Sequence, residues 1–311
     1  MTRFLVLGGA HLDRRATLTG QTRPGASNPG RWYEEPGGGA FNAAQNLARL
    51  GNEVQMVSVR GGDQAGETVA QAAEAAGIDD MAQVFLDRAT PSYSAILENN
   101  GDLLIGVADM DLYDHFSLRQ LSRRSIRKAI TNSDHLLCDA NLPQETLAAL
   151  ADRAASARKT LAAIAISPAK IVRLADLLSH LSILFMNEAE AVTLSGDDTP
   201  SGWPNRMRAA GLQSAVITRG AAPIIGFDGD GIFHIEPPAV EDVADVTGAG
   251  DALAAATLNA LGRGMPLRQA ARAGIAAASI TVRCSTATSA DLSAEAVETN
   301  MALVPQPVVL S

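Results

Sequence analysis

The sequence predicts an α/β fold: a mostly parallel sheet covered by helices on both faces, with a small β-sheet as a lid over its mouth. Short β-type runs alternate with longer Ala-rich helical patterns along most of the 311 residues, as parallel strands joined by crossover helices require. Apolar residues make up 47% of the chain and charged residues 19%, enough for a large buried core and too apolar for wholesale disorder. No internal repeat or low-complexity linker divides the chain, so residues 1–311 read as a single domain.

The elements follow in order. Residues 3–7, with the apolar run Phe4-Leu5-Val6-Leu7, read as the first strand. The stretch 14–36 breaks the alternation, being polar and rich in Gly and Pro, with a strand-like piece at Arg31-Trp32-Tyr33. A glycine turn opens a helix over 40–50, followed by a strand at 53–59 and a helix at 65–76. Residues 89–108 interrupt again and read as a hairpin of 92–97 and 103–107 around Asn99-Asn100-Gly101-Asp102. Asn-Gly supplies the positive backbone angles that such a turn needs. Alternation then resumes with helices at 118–130, 144–157, 187–194, 250–261 and 267–282. The strands between them fall at 134–138, 160–166, 182–185, 215–218 and 223–227. The insertions 14–36 and 89–108 can meet in space as a small sheet over the mouth of the main one, a lid that excludes water; two unrelated surface loops fit the same pattern.

Composition excludes several classes. A formal charge of −9 argues against a general nucleic-acid binder, though not against an anionic small substrate. Lysine is confined to Lys128, Lys159 and Lys170, none in a Walker-type glycine loop. Cys138 and Cys284 make no disulfide framework, and His11, His115, His135, His180 and His234 have no zinc-site spacing. The N-terminus lacks signal-peptide character and no apolar run approaches membrane-spanning length, so a soluble cytoplasmic protein is expected.

The densest chemistry lies at Asp245-Val246-Thr247-Gly248-Ala249-Gly250-Asp251, followed by the run Ala252-Leu253-Ala254-Ala255-Ala256. Small residues at 248–250 let an anion approach their backbone N–H groups, at the positive end of the helix that the apolar run starts. Asp251 in the first turn repels an anion unless it takes a proton from an attacking hydroxyl. An acidic N-cap after a glycine turn fits the local pattern too.

Weaker signals accompany it. Gly8-Gly9-Ala10-His11-Leu12-Asp13 follows a strand but lacks the spacing of a dinucleotide fingerprint; Asp13 sits past a strand's carboxyl end, where open α/β sheets bind ligands. It could accept hydrogen bonds from vicinal hydroxyls or stabilise a turn. Pro36-Gly37-Gly38-Gly39-Ala40-Phe41-Asn42 exposes backbone amides ahead of a helix, with Asn42 able to hold polyol oxygens. Asn187 and Glu190 share one helix face, as a hydrated magnesium site or as a capping box. Thr218-Arg219-Gly220 ends a strand and fits either a nucleotide wall or a plain turn.

In this order these motifs resemble the ribokinase-like (PfkB) family of sugar and nucleoside kinases over nearly the whole chain. Its pseudouridine kinase branch is the most similar: Ser27-Asn28-Pro29-Gly30, Pro36-Gly37-Gly38, Asn42, Ala44-Gln45-Asn46-Leu47-Ala48, Leu50-Gly51-Asn52, Asp109-Met110, Asp139-x-Asn141 and Val246-Thr247 carry that likeness. The resemblance implies a ribokinase-like three-layer α/β/α sandwich with a β-sheet lid. It implies transfer of the γ-phosphate of ATP to the 5′-hydroxyl of a ribosyl substrate, with pseudouridine first, or another sugar or nucleoside such as ribose. Asp251 would be the general base, and the amides of Gly248, Ala249 and Gly250 the anion hole. Asp13, Gly37, Gly38, Asn42 and Asn141 would hold the sugar. Asn187, Thr218, Gly220, Thr247, Gly248 and Gly250 would line the ATP site, and Asn187 and Glu190 would order Mg2+ through water. Asp245 would be a ligand for a monovalent cation such as K+, and the lid would join two subunits as a homodimer. Ser92, Tyr93 and Asp109 are hairpin candidates for reading the base. The chain departs from the family pattern at His11, Ala40 and Phe41, all around the sugar and base. A non-catalytic sugar- or nucleotide-binding protein is the rival of a different class.

Overall fold

The computed structural model describes residues 1–310. A ten-stranded sheet runs in the order Val308–Leu310, Gly231–Ile235, Ala222–Asp228, Ala215–Arg219, Ile183–Asn187, Thr160–Ile164, His135–Asp139, Arg3–Leu7, Glu53–Val57, Asp79–Asp80. The strands from Ala215–Arg219 to Asp79–Asp80 pair in parallel, and the three at the other end are antiparallel. The first strand shows why the sheet is buried on both faces: Phe4 and Val6 enter one core cluster, Leu5 and Leu7 the other.

The first core packs the helices Gly39–Arg49, Ala249–Gly262 and Leu267–Thr281 on one face. The second packs Arg124–Asn132, Gln144–Ser156 and Trp203–Ala209 on the other. The resulting three layers form the sandwich expected. Small residues decide how close the helices lie: a Cβ on Gly274 would come within 2.2 Å of Thr257 Oγ1, so Leu267–Thr281 sits against Ala249–Gly262 almost backbone to backbone. That contact fixes the helix whose first turn carries Asp251.

A separate four-stranded sheet runs Gly30–Gly37, His11–Leu18, Ser92–Leu97, Leu103–Asp109. Its central pair, His11–Leu18 with Ser92–Leu97, is parallel and joins two segments distant in sequence. The insertions at 14–36 and 89–108 therefore meet in one sheet rather than standing as unrelated loops.

Several boundaries differ from the sequence reading. The run 53–59 divides, because Val59–Gly61 leaves the main sheet to pair with Gln83–Phe85. The helix expected over 118–130 is broken at Ser122-Arg123 into Leu118–Leu121 and Arg124–Asn132. Strands Gly231–Ile235 and Val308–Leu310 and helices Trp203–Ala209 and Ala294–Met301 are additional elements, too short for periodicity to reveal. Among the described residues no helix is long and apolar enough to cross a membrane.

Candidate active site

The parallel strands end at one edge of the sheet, and a cavity of about 300 Å³ opens there, the position where open α/β sheets take ligands. Asp13 and His11 enter it from the small sheet, Gly38, Gly39 and Asn42 from the start of helix Gly39–Arg49. Asn187 and Glu190 come from the strand-to-helix junction at 187–188, Thr218 from the end of Ala215–Arg219, and Thr247, Gly250 and Asp251 from the loop and first turn of helix Ala249–Gly262.

Asp251 is the chemical centre. It lines the cavity half-buried, and desolvation by the surrounding protein, together with Asp139, Glu190 and Asp13, pushes its carboxyl from 3.8 up to about 7 against the opposing hydrogen bond from Asn42. Asn42 Nδ2 donates to Asp251 Oδ2 at 2.9 Å and so aims the carboxylate. The other end of that amide, Oδ1, is buried without a partner, an acceptor beside the base with room for a donor from outside. A carboxylate titrating near neutrality, held at one oxygen, is suited to accept a proton from an alcohol.

Next to it the helix N-terminus is open. Gly248 caps the helix with φ 77°, and its backbone touches Ala287: a Cβ would fall 1.8 Å from the Ala287 carbonyl oxygen. Gly250 instead has nothing within 4 Å of where a Cβ would stand, so its face of the first turn is bare to the cavity. The lining contains neither Lys nor Arg and carries Asp13, Glu190 and Asp251. A phosphorylated ligand there would depend on backbone N–H groups and a bound cation to offset its charge.

Asp13 is held by His11, whose Nε2 lies 3.2 Å from Asp13 Oδ1 while Nδ1 meets the Tyr113 hydroxyl at 2.8 Å. Asn187 and Glu190 form a reciprocal capping box, with Asn187 N donating to Glu190 Oε2 at 2.7 Å and Glu190 N to Asn187 Oδ1 at 2.9 Å. Both also line the cavity, and burial raises the Glu190 carboxyl. Their hard oxygens suit a hydrated Mg2+; the capping box and the cavity position are compatible, since a carboxylate carries more lone pairs than one cap uses.

Of the residues singled out from sequence, the cavity gathers Asp13, Gly38, Asn42, Asn187, Glu190, Thr218, Thr247, Gly250 and Asp251. Gly248 and Ala249 stand at the helix start, and the Ala249 N–H, expected in the anion hole, donates instead to Val246 O at 3.3 Å. Gly37 backs Asp13: a Cβ there would meet Asp13 Oδ2 at 2.0 Å. Asn141 is not brought to the lining: it is buried, donating to Asp139 at 2.8 Å and accepting from Lys170 Nζ at 2.5 Å. Gly220 is exposed at the turn between two antiparallel strands, also off the lining. The Asp245 carboxylate is occupied along both edges: Oδ1 accepts from Thr247 N and Oγ1 at 2.9 and 2.7 Å, and Oδ2 accepts from Arg15 at 2.5 Å. That arrangement does not fit a monovalent cation seated on the carboxylate.

Sequence reasoning missed the apolar wall formed by Ile164, Ile166, Phe185, Met186, Val216 and Leu253. Ile166 stands out with φ 73°, a left-handed conformation that a β-branched side chain adopts only under constraint from its surroundings. Arg15 was missed as well; its only sequence signal is its place two residues from Asp13 on one strand.

The pfkB family carbohydrate kinase model matches residues 1–294. Pseudouridine kinase of Escherichia coli K12 is 29% identical over 296 residues, covering 93% of each chain. The solved structure of a carbohydrate kinase from Agrobacterium tumefaciens is 55% identical and covers 100% of both chains, with a TM-score of 0.91. An Arabidopsis thaliana ribokinase, solved with ribose and ATP, shares the fold at a TM-score of 0.84 over 97% of this chain and 99% of its own, at 19% identity.

Proposed function

Since the chain belongs to the PfkB family of carbohydrate kinases, phosphotransferases with an alcohol group as acceptor, we propose that it moves the γ-phosphate of ATP onto the 5′-hydroxyl of a ribosyl substrate, pseudouridine, giving pseudouridine 5′-phosphate. The observation that carries the reading is Asp251: a carboxyl with its titration near 7, aimed by Asn42, beside the uncrowded first turn at Gly250. Pseudouridine is preferred over ribose because the relative that matches 93% of the chain is a pseudouridine kinase.

The chemistry follows from the residues. Asp13 accepts hydrogen bonds from the ribose hydroxyls, and the unpartnered Asn42 Oδ1 accepts one more, which together hold the 5′-hydroxyl against Asp251. Asp251 takes the proton as that oxygen attacks. The amides of Gly248 and Gly250 offset charge on the transferring phosphoryl group, as the helix dipole favours. Asn187 and Glu190 would hold Mg2+ through its waters, and the ion would neutralise the ATP phosphates in a cavity that offers no Lys or Arg. The apolar wall Phe185, Met186, Val216 and Leu253 gives the nucleotide a dry surface beside Thr218. Dependence on ATP fits an enzyme of the cytoplasm.

The small sheet serves as the lid and as a homodimer surface. Direct pairing puts Trp32, Ala16, Ile96 and Ile105 in one row across the sheet, and Val107 in the next row of that face. Trp32, Ile105 and Val107 are exposed by 62%, 52% and 57%, more apolar surface than a lone sheet face should show. Trp32→Glu should convert a dimer into monomers by light scattering; a wild-type protein that is monomeric at assay concentration removes this part of the reading.

Phosphorylation of pseudouridine, uridine, inosine and ribose, measured by ADP release with the pure protein, tests the substrate. Pseudouridine should give the highest kcat/KM. A preference of tenfold or more for ribose, roughly 1.4 kcal/mol in transition-state binding, would transfer the enzyme to the ribokinases, and silence across the panel would revive a binding protein.

A further inference from the structure

We propose that Arg15 is a positioning residue that straps the small sheet to the phosphate loop through Asp245, so that closing over the acceptor and assembling the anion hole are one event and need no monovalent cation. The inference rests on the kinase reading above.

Arg15 and Asp13 are two apart on strand His11–Leu18 and so share a face, the one that puts Asp13 into the cavity. From there the guanidinium spans 230 positions of sequence to Asp245 Oδ2 at 2.5 Å. Its other arm donates to Glu35 of the neighbouring strand, and the group lies 5.9 Å from the Tyr33 ring centroid. Arg15, Glu35 and Asp245 are all shielded, with side chains 23%, 10% and 19% exposed. Screening by salt is correspondingly weaker than for a surface pair.

Asp245 is the reason the bond matters. One edge of its carboxylate fixes the N–H and hydroxyl of Thr247, the residue just before Gly248. The opposite edge takes Arg15. A single carboxylate therefore sets the turn that leads into the anion hole and anchors the strand that carries Asp13. A guanidinium already supplies the positive charge at that position, where an alkali ion would otherwise have to displace it. Two planar bonding arms hold direction as well as charge, which a lysine ammonium cannot match.

The test combines amide exchange with kinetics on the full chain. Arg15→Met should increase exchange in residues 11–18 and 245–251 together, without substrate present. With ATP and pseudouridine, or ribose if that is the acceptor used, its kcat/KM should fall roughly tenfold, with the acceptor KM raised and kcat lowered. Asp245→Asn keeps an oxygen for Thr247 and loses the ionic contact, so it guards against a folding defect in the first variant. The double variant should be no worse than the more damaging single one, and Arg15→Lys should recover part of the loss. Wild-type turnover should not differ between potassium, sodium and choline chloride. Exchange confined to the strand, additive effects in the double variant, or potassium stimulation of the wild type would each overturn the strap. Absence of any kinase activity would sink the functional reading alone, because the exchange measurement needs no substrate.

Discussion

Asp251→Asn should lower kcat by about 10²–10⁴-fold, the range for removal of a positioned general base, while ATP binds with nearly unchanged affinity. The two halves of the result separate explanations. The amide oxygen introduced by the substitution would still accept from Asn42 Nδ2, which bonds only one oxygen of the Asp251 carboxylate, so the cavity should keep its shape. What disappears is a group able to hold the 5′-hydroxyl proton. Isothermal titration with ATP alongside steady-state turnover provides the comparison, and a variant with wild-type kcat would rule out Asp251 as the base.

The same carboxyl ties activity to pH and to stability in opposite directions. Folding raises its pKa from 3.8 to about 7, chiefly by burial, so the folded protein binds the extra proton between those values and the unfolded chain does not. Stability contributed by that proton is present in acid and is lost as pH rises through about 7. The base form appears over the same interval, so kcat/KM should climb with unit slope toward a plateau above pH 7. Asp251→Asn removes the buried charge, and should therefore melt higher than wild type at pH 8 and about equally at acid pH. A Tm difference that does not vary with pH would disconnect the carboxyl from both effects.

The sequence made the centre of the site legible because its parts are local. Gly248, Ala249, Gly250 and Asp251 are adjacent in the chain, and a glycine turn opening an apolar helix leaves few conformations for them. The alternation of strand and helix was readable for the same reason. The joining of 14–36 with 89–108 was harder, since only the parallel pairing of His11–Leu18 with Ser92–Leu97 brings them together. The apolar wall was not legible at all: Ile164, Phe185 and Val216 look identical to core residues of the same strands, and only the folded sheet shows that they line the cavity. Asn187 and Glu190 show that the two readings of one spacing need not compete, because the capping box forms at the cavity's rim. Arg15 reads as an ordinary lid charge until Asp245 is found across from it.

Two glycines in one turn should lose turnover alike but differ in stability on gaining the same methyl group. In Gly248→Ala the added Cβ would lie 1.8 Å from Ala287 O on a residue with φ 77°, so the loop must move. A left-handed conformation alone costs an alanine about 1–2 kcal/mol, and the clash adds to it. Thermal stability should drop, and kcat should fall by on the order of 10²–10³, as when an oxyanion donor is lost. In Gly250→Ala the Cβ meets nothing within 4 Å and the residue is already helical, and alanine favours a helix over glycine by roughly 1 kcal/mol. Its Tm should hold or rise while kcat still falls, because the methyl intrudes on the space the phosphoryl oxygens need. Melting and turnover measured on both variants distinguish a backbone cradle for phosphate from a glycine turn that only packs. If Gly250→Ala turned over like wild type, that face of the helix would have no anion to receive, and the charge on the transferring group would have to be met elsewhere in the cavity.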